Sequence, residues 1–270
     1  PEPATTPIPS GPPVTDGSPE PGSPGSLREP EVLTSSDGRL DLTLTAARLL
    51  QTESGTRHGC DISIEKRVPW AAGLGGGSSD AASTVLALNR LWGLDWPRSR
   101  LAALATRLGA DVPFFIGGRN AFVEGIGERL TPLAVPRQWF AIVKPAAGLT
   151  THAIFTHPAL VRDTPAVILS GFLADAAKPG FWQRGHGRND LQPPAEDRCP
   201  EVAQAAEWLQ LRFGNSRMTG SGSAVFARNG TGDQPLATWP AEELPPGWVG
   251  RMCRSLEQHP LIAWADDEPG

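Results

Sequence analysis

The stretch DLTLTAARLLQ (41–51) changes its hydrophobic period within a few residues. Leu40, Leu42 and Leu44 alternate, whereas Ala46, Ala47, Leu49 and Leu50 cluster. Strand into helix and one continuous helix both fit. A helix over roughly 41–51 is preferred, because two alanines and two leucines in pairs make poor alternating strand. CDISIEKRVP (60–69) is plainer, with Ile62, Ile64 and Val68 on even positions and polar residues between the first of them. It predicts a half-buried strand ended by Pro69. A glycine-rich turn follows, then a helix through about Leu91 that carries Ala82, Val85, Leu88 or Asn89, and Trp92 on one side. In 98–118, Leu101, Leu104, Ala105 and Leu108 hold the i, i+3, i+4, i+7 spacing of an amphipathic helix. Gly109 is placed to cap it, and Pro113 is expected to stop the helix from resuming. AFVEGIGERLTPL reads as a hairpin turning at Gly125 and Gly127, and QWFAIVKPA (138–146) as a buried strand near a domain boundary. Beyond it lie a loop-rich stretch, a helix around 201–213, a strand–glycine turn–strand in SRMTGSGSAVFAR (216–228), and an edge strand in WVGRMCRSL.

Composition adds limits. Residues 1–26 are almost all Pro, Gly, Ser, Thr and acid. Such a segment buries too little apolar surface to offset its ordering entropy and is expected to be disordered. A net charge of −5 argues against a broad nucleic-acid surface. Lys66, Lys144 and Lys178 are the only lysines, so any chemistry needing an ammonium must use one of them. Cys60, Cys199 and Cys253 are widely spaced and favour scattered reduced thiols in a cytoplasmic protein. No apolar run approaches the ~18 residues of a membrane span, and the N-terminal residues do not read as a secretion signal.

The chemistry lies in VPWAAGLGGGSSDAAS (68–83). A glycine turn between a strand and a helix is a physical solution for phosphate. First-turn amides lack internal partners, the helix dipole favours anions there, and glycines let backbone approach oxygen. Ser78 and Ser79 are expected to cap the helix and to offer hydroxyls to phosphate or Mg²⁺. The loop is neither a Walker A sequence, since no lysine follows Gly77, nor a dinucleotide fingerprint, since Ser78 stands where the third glycine belongs.

These residues carry a resemblance. Pro69, Trp70, Ala71, Ala72, Gly73, Leu74, Gly75, Gly76, Gly77, Ser78 and Ser79 look like the ATP-binding motif of the GHMP kinases. LNRLWGL (88–94), LGADVPFFIGG (108–118), VEGIGERLTPL (123–133), RNDL (188–191) and RMTGSGSAVFA (217–227) are similar to one branch of them, the 4-diphosphocytidyl-2-C-methyl-D-erythritol kinases of the non-mevalonate isoprenoid (terpenoid) pathway. The similarity spans about residues 40–255.

The resemblance implies an α+β fold in two domains. The first would be like the second domain of ribosomal protein S5 and incomplete here, the second ferredoxin-like. The expected division is a tail over 1–30, an ATP-binding domain over 31–140, a C-terminal domain over 141–262 and a frayed end over 263–270. It implies transfer of the γ-phosphoryl group of ATP, with Mg²⁺ held by Ser78 or Ser79, to a hydroxyl of a small cytidine diphosphate conjugate. Asp111 matches the family's catalytic base. Taken alone it is an acid just after a helix. Thr219, Gly220, Ser221 and Gly222 match a second glycine loop facing the cleft, and equally fit an ordinary hairpin turn. Asn189 and Asp190 match a substrate motif, and equally a capped loop. Glu124 and Glu128 are expected to be structural. His186 stacking on the cytosine is a weaker reading than a solvated loop histidine. The expected partners are the small-molecule substrate alone, with no nucleic acid or membrane, in a monomer or weak homodimer.

The chain departs from that pattern in its first part. The family's PAK-x-NL lysine and GYH segments do not appear, and there is no tyrosine at all. Roughly the first 80 residues of the family are expected to be replaced by the Pro/Gly/Ser tail, leaving the 60–68 strand with an open edge. Two alternatives stay open: a catalytically impaired homologue that only binds nucleotide, and a GHMP kinase for another small alcohol.

Overall fold

The computed structural model describes residues 41–182, 186–240 and 244–267. The expected tail over 1–30 lies outside them. The first part is helical. α1 (Leu42–Ser54) starts where Asp41 accepts the Thr43 amide, and packs on α2 (Gly76–Leu91). α3 (Arg98–Ala105) and α4 (Val112–Gly117) close the group. The face read along α2 is the buried one: Ala82, Val85, Leu88, Asn89 and Trp92 all face inward. The apolar members of that face form one core with Leu50, Leu101, Val112 and Ile116. Each fully buried Leu, Ile or Val contributes about 1.5–3 kcal/mol.

The second part is a sheet covered by helices. The hairpin β1 (Ala121–Glu124) and β2 (Arg129–Pro132) comes first, then β3 (Trp139–Lys144), α5 (Thr151–Phe155), α6 (Leu169–Ala176), α7 (Gln192–Arg198), α8 (Pro200–Phe213), β4 (Arg217–Met218), β5 (Val225–Arg228) and β6 (Val249–Arg254). The four-stranded sheet runs β4-β5-β3-β6, antiparallel throughout, with β6 at an edge as expected. Ala141, Val143, Met218, Val225 and Ala227 face Val202, Ala205 and Leu209 of α8 and make a second core.

Five local expectations fail, each for a physical reason. Residues 60–68 keep the alternation only as far as Ile64, with Ile62 and Ile64 half-buried and Val68 exposed, and form no strand. A strand exists only where another strand takes its N–H and C=O groups, and no described residue does so. Ser78 and Ser79 do not cap α2; the helix begins earlier, with Gly75 in the left-handed conformation as its cap. α3 ends at Ala105 with Thr106 as its cap, so Gly109 caps nothing. Pro113 does not prevent a new helix; it sits in the first turn of α4, where a missing N–H costs nothing.

The stretch 263–267, expected to fray, is instead tied down by Arg98. This guanidinium is about nine-tenths buried. It donates to Asp267 Oδ1 at 2.7 Å, Ile116 O at 2.6 Å, Ala265 O at 2.6 Å, and Ile262 O. Arg98→Ala would orphan three carbonyls, each worth about 1 kcal/mol or more. The expected loss is about 3 kcal/mol in denaturant unfolding; a midpoint unchanged from wild type would show that the tie carries no stability.

Candidate functional site

The glycine turn and the second glycine loop interlock. Ser223 donates its amide to Ala71 O and Ala224 to Ala72 O, both at 3.0 Å. Thr219 Oγ1 donates to Gly73 O at 3.0 Å. Gly73 has φ +67, and a Cβ there would lie 2.2 Å from Thr219 O and 2.8 Å from Gly222 N. Only glycine permits this close crossing of two backbones. Ala71 is itself left-handed, at φ 49, an unusual conformation for a residue with a Cβ. It is held there by the Ser223 amide.

The turn delivers the chain into α2 with unfilled donors. The first helical bond is made by Ser79 N to Gly75 O at 2.9 Å. The amides of Gly76, Gly77 and Ser78 therefore precede the ladder and have no helical acceptor. A Cβ at Gly77 would meet nothing within 4 Å, whereas one at Gly76 would lie 3.2 Å from Val68 Cγ1, so free space is shown beside Gly77 alone. This arrangement fits a phosphate group. No cluster of three or more His, Cys, Asp or Glu suited to a metal occurs among the described residues. The Ser78 and Ser79 hydroxyls are the groups of this turn that could reach a phosphate-bound Mg²⁺, an ion that keeps several waters when bound.

Asp111 caps α4 by position, but its side chain makes no cap hydrogen bond. It stays exposed, and its chain neighbours Ala110 and Phe115 touch two other segments. Phe115, one turn on, lies against Gly75, its ring 3.0 Å from the place of a Cβ. The hairpin turn abuts the preceding residue: a Cβ at Gly127, φ +118, would lie 2.1 Å from Ala110 O. Glu128 has the structural role expected of it. It accepts the Ile126 amide at 2.7 Å, and hydrogen bonds from its own amide and that of Ile126 hold its carboxyl below the ordinary value.

Asn189 holds the second loop. Its Nδ2 donates to Met218 O at 2.9 Å and Gly220 O at 2.8 Å, and its Oδ1 accepts the Leu191 amide. Asp190 turns to Thr164 and Arg188, which lower its carboxyl in that order of effect. The capped-loop geometry thus describes Asn189, while Asp190 makes side-chain pairs instead. Ser221 Oγ meets Thr151 Oγ1 at 2.9 Å. His186 is not simply a solvated loop histidine: it stacks on Phe181, ring centroids 4.0 Å apart.

Sequence reasoning missed the flank of the turn. Lys66 Nζ lies 2.7 Å from Asp80 Oδ2 and 3.1 Å from Asp41 Oδ2, and 5.5 Å from the Trp70 ring centre. One ammonium thus ties the start of α1, the segment before the turn and the second turn of α2. Desolvation opposes the charge on Lys66, but the hydrogen bonds it donates to Asp80 and then Asp41 outweigh it and raise its value. The usable signal was the scarcity of lysine. Lys144, by contrast, is buried, donates to Pro145 O and Ala147 O, and is pushed down chiefly by burial.

Burial alone would raise the Asp41 carboxyl; the Thr43 amide, the Thr43 hydroxyl and Lys66 more than cancel it and hold it below its ordinary value. A depressed carboxyl stabilises the fold above its unfolded pKa of ~3.9, and that stability is lost as pH falls through the lower folded value. Asp41→Asn should therefore lower the melting temperature near neutral pH, with the gap to wild type closing below about pH 4. A gap that stays constant down to acid pH would rule out this account.

The comparisons follow the geometry. Residues 41–119 match the model of the GHMP kinases N terminal domain, and 177–228 that of the GHMP kinases C terminal domain. A 4-diphosphocytidyl-2-C-methyl-D-erythritol kinase from Methylibium petroleiphilum is 61% identical over 83% of this chain and 76% of its own length. The chain belongs to the 4-diphosphocytidyl-2-C-methyl-D-erythritol kinase family. A Variovorax paradoxus relative of the same name is 51% identical over 83% of this chain and 78% of its own. The crystal structure of 4-(cytidine 5'-diphospho)-2C-methyl-D-erythritol kinase superimposes with a TM-score of 0.57 at 37% identity, over 72% of this chain and 70% of that one. The fold is that of GHMP kinases, and the protein is a small-molecule kinase. Among the described residues no helix is long and apolar enough to cross a membrane.

Proposed function

We propose that this kinase transfers the γ-phosphoryl group of ATP to a hydroxyl of 4-diphosphocytidyl-2-C-methyl-D-erythritol. The acceptor is that of its relatives by name. The observation that supports the phosphate site is the row of first-turn amides at Gly76, Gly77 and Ser78, which have no helical acceptor and follow a turn held by the 219–224 loop.

Phosphoryl transfer asks the protein chiefly for position and charge neutralisation. Gly73–Gly77 and the start of α2 receive the phosphates. Pro69–Ala72 join that turn to Lys66 on one side and to Ser223 and Ala224 on the other. Mg²⁺, when bound through Ser78 or Ser79, would neutralise charge on the phosphate oxygens. Asp111 accepts the proton of the acceptor hydroxyl as its oxygen forms the new bond to phosphorus and the bond to the ADP oxygen breaks. Thr219–Gly222 line the acceptor side, with Ser221 offering a hydroxyl. Asn189 acts by holding that loop. A soluble cytoplasmic setting fits such a reaction.

Mixing the full chain with Mg-ATP and the acceptor, and following ADP, tests the proposal. Acceptor-dependent ADP release supports it. Saturable binding of an ATP analogue with no acceptor-dependent turnover would leave a nucleotide-binding homologue instead. Turnover only with other small alcohols would move the acceptor.

A further inference from the structure

Arg217 of β4 and Arg228 of β5 lie on the sheet face turned away from α8, since their neighbours Met218, Val225 and Ala227 occupy the core. Both guanidinium centres sit over Phe226, at 5.3 and 5.5 Å from its ring centre. They line a cavity of about 220 Å³ together with His186, Gln210, Asn215 and Ser216. Among the described residues neither guanidinium meets a carboxylate. Arg217 Nη1 donates to His186 O, and Arg228 Nη2 lies 3.2 Å from His186 Nε2. Arg228 donates there, so Nε2 is an acceptor. Nδ1, 3.4 Å from Phe181 O, carries the proton. Arg228 Nε is buried with no partner.

This is an expensive arrangement for the free protein. Two like charges share a half-buried site. Burial lowers both guanidinium values, and the Arg217 charge helps bring Arg228 down to about 10. Both stay charged at neutral pH. Stacking on one phenyl ring offsets only part of the cost of desolvating two ions and leaving an N–H unfilled. A planar donor fork with vacant N–H groups matches phosphate oxygens well.

We propose that the Arg217–Arg228 cavity is a binding site for a phosphate or diphosphate anion, separate from the phosphate site on the glycine turn. The anion would accept from the free N–H groups of both guanidiniums and cancel their repulsion. The site adjoins the acceptor loop: Arg217 precedes Met218, whose carbonyl Asn189 holds. The inference stands without the proposed reaction, because it needs no turnover.

Titrating inorganic pyrophosphate into the full chain by calorimetry, without Mg²⁺ and with a saturating ATP analogue present, tests it. One site is expected, weakened tenfold or more in Arg228→Gln and in Arg217→Gln, and less so in Arg228→Lys. Phenylglyoxal labelling of the wild-type chain, read by mass spectrometry, needs no variant. Pyrophosphate should protect Arg217 and Arg228 selectively. Absent binding, equal affinity in the glutamine variants, or labelling of both arginines unaffected by pyrophosphate would overturn the proposal. Cytidine diphosphate displacing pyrophosphate at lower concentration would assign the anion to a nucleotide's diphosphate. Equal potency would assign it to the free inorganic ion.

Discussion

Asp111→Asn lowers acceptor-dependent turnover by about 10²–10⁴-fold, the range that a positioned general base supplies. The structure makes this a clean test. The Asp111 side chain makes no cap bond, so its loss removes no structural contact from α4. Thermal stability should therefore match wild type while kcat falls. ATP binding should also hold, because the open amides belong to α2, not α4. Asparagine keeps the size and hydrogen-bonding reach but cannot take a proton at neutral pH. A turnover within a few-fold of wild type would remove Asp111 from the chemistry.

Gly73→Ala should disable the protein by another route. Its Cβ would meet the backbone of Thr219 and Gly222, and no side chain can rotate away to make room. Either the φ of +67 or the crossing of the two loops must go. A strained left-handed residue costs about 1–3 kcal/mol, and a backbone clash adds a cost of similar size. Gly77→Ala is the matched control, since its Cβ would meet nothing within 4 Å and the position is helical. That variant should fold as well as wild type while its KM for ATP rises. Unfolding would be followed by circular dichroism and ATP affinity by calorimetry. Equal stability of the two variants would show that the interlock is not needed. An unaltered ATP affinity in Gly77→Ala would place the phosphates elsewhere.

Much of the scaffold is legible along the chain. The buried stripe of α2, from Ala82 to Trp92, and the β3 strand follow from period alone. So does the hairpin about Gly125 and Gly127, where the turn residues are local. The failures share a cause. Residues 60–68 have the strand pattern, but a ladder depends on a neighbour that the pattern does not name. Gly109 and Pro113 were given their usual local meanings, whereas the packing of α3 and α4 against α2 set where those helices stop and start. For Asn189 and Asp190 the sequence leaves a substrate motif and a capped loop equally open. The fold adds that Asn189 holds the second glycine loop, whereas Asp190 pairs with Thr164 and Arg188.

Residue types at short spacing point to the glycine turn as the proposed phosphate site and carry the resemblance to the kinase family, which in turn marks Asp111 as the proposed base; reading them needs no knowledge of distant chain. Tertiary structure alone decided that Gly73 crosses Thr219, that Lys66 ties Asp41 to Asp80, and that Arg217 and Arg228 share one cavity. Such contacts join residues far apart in sequence, and their energies depend on burial and on which partners are within reach. Neither quantity exists until the two cores have closed.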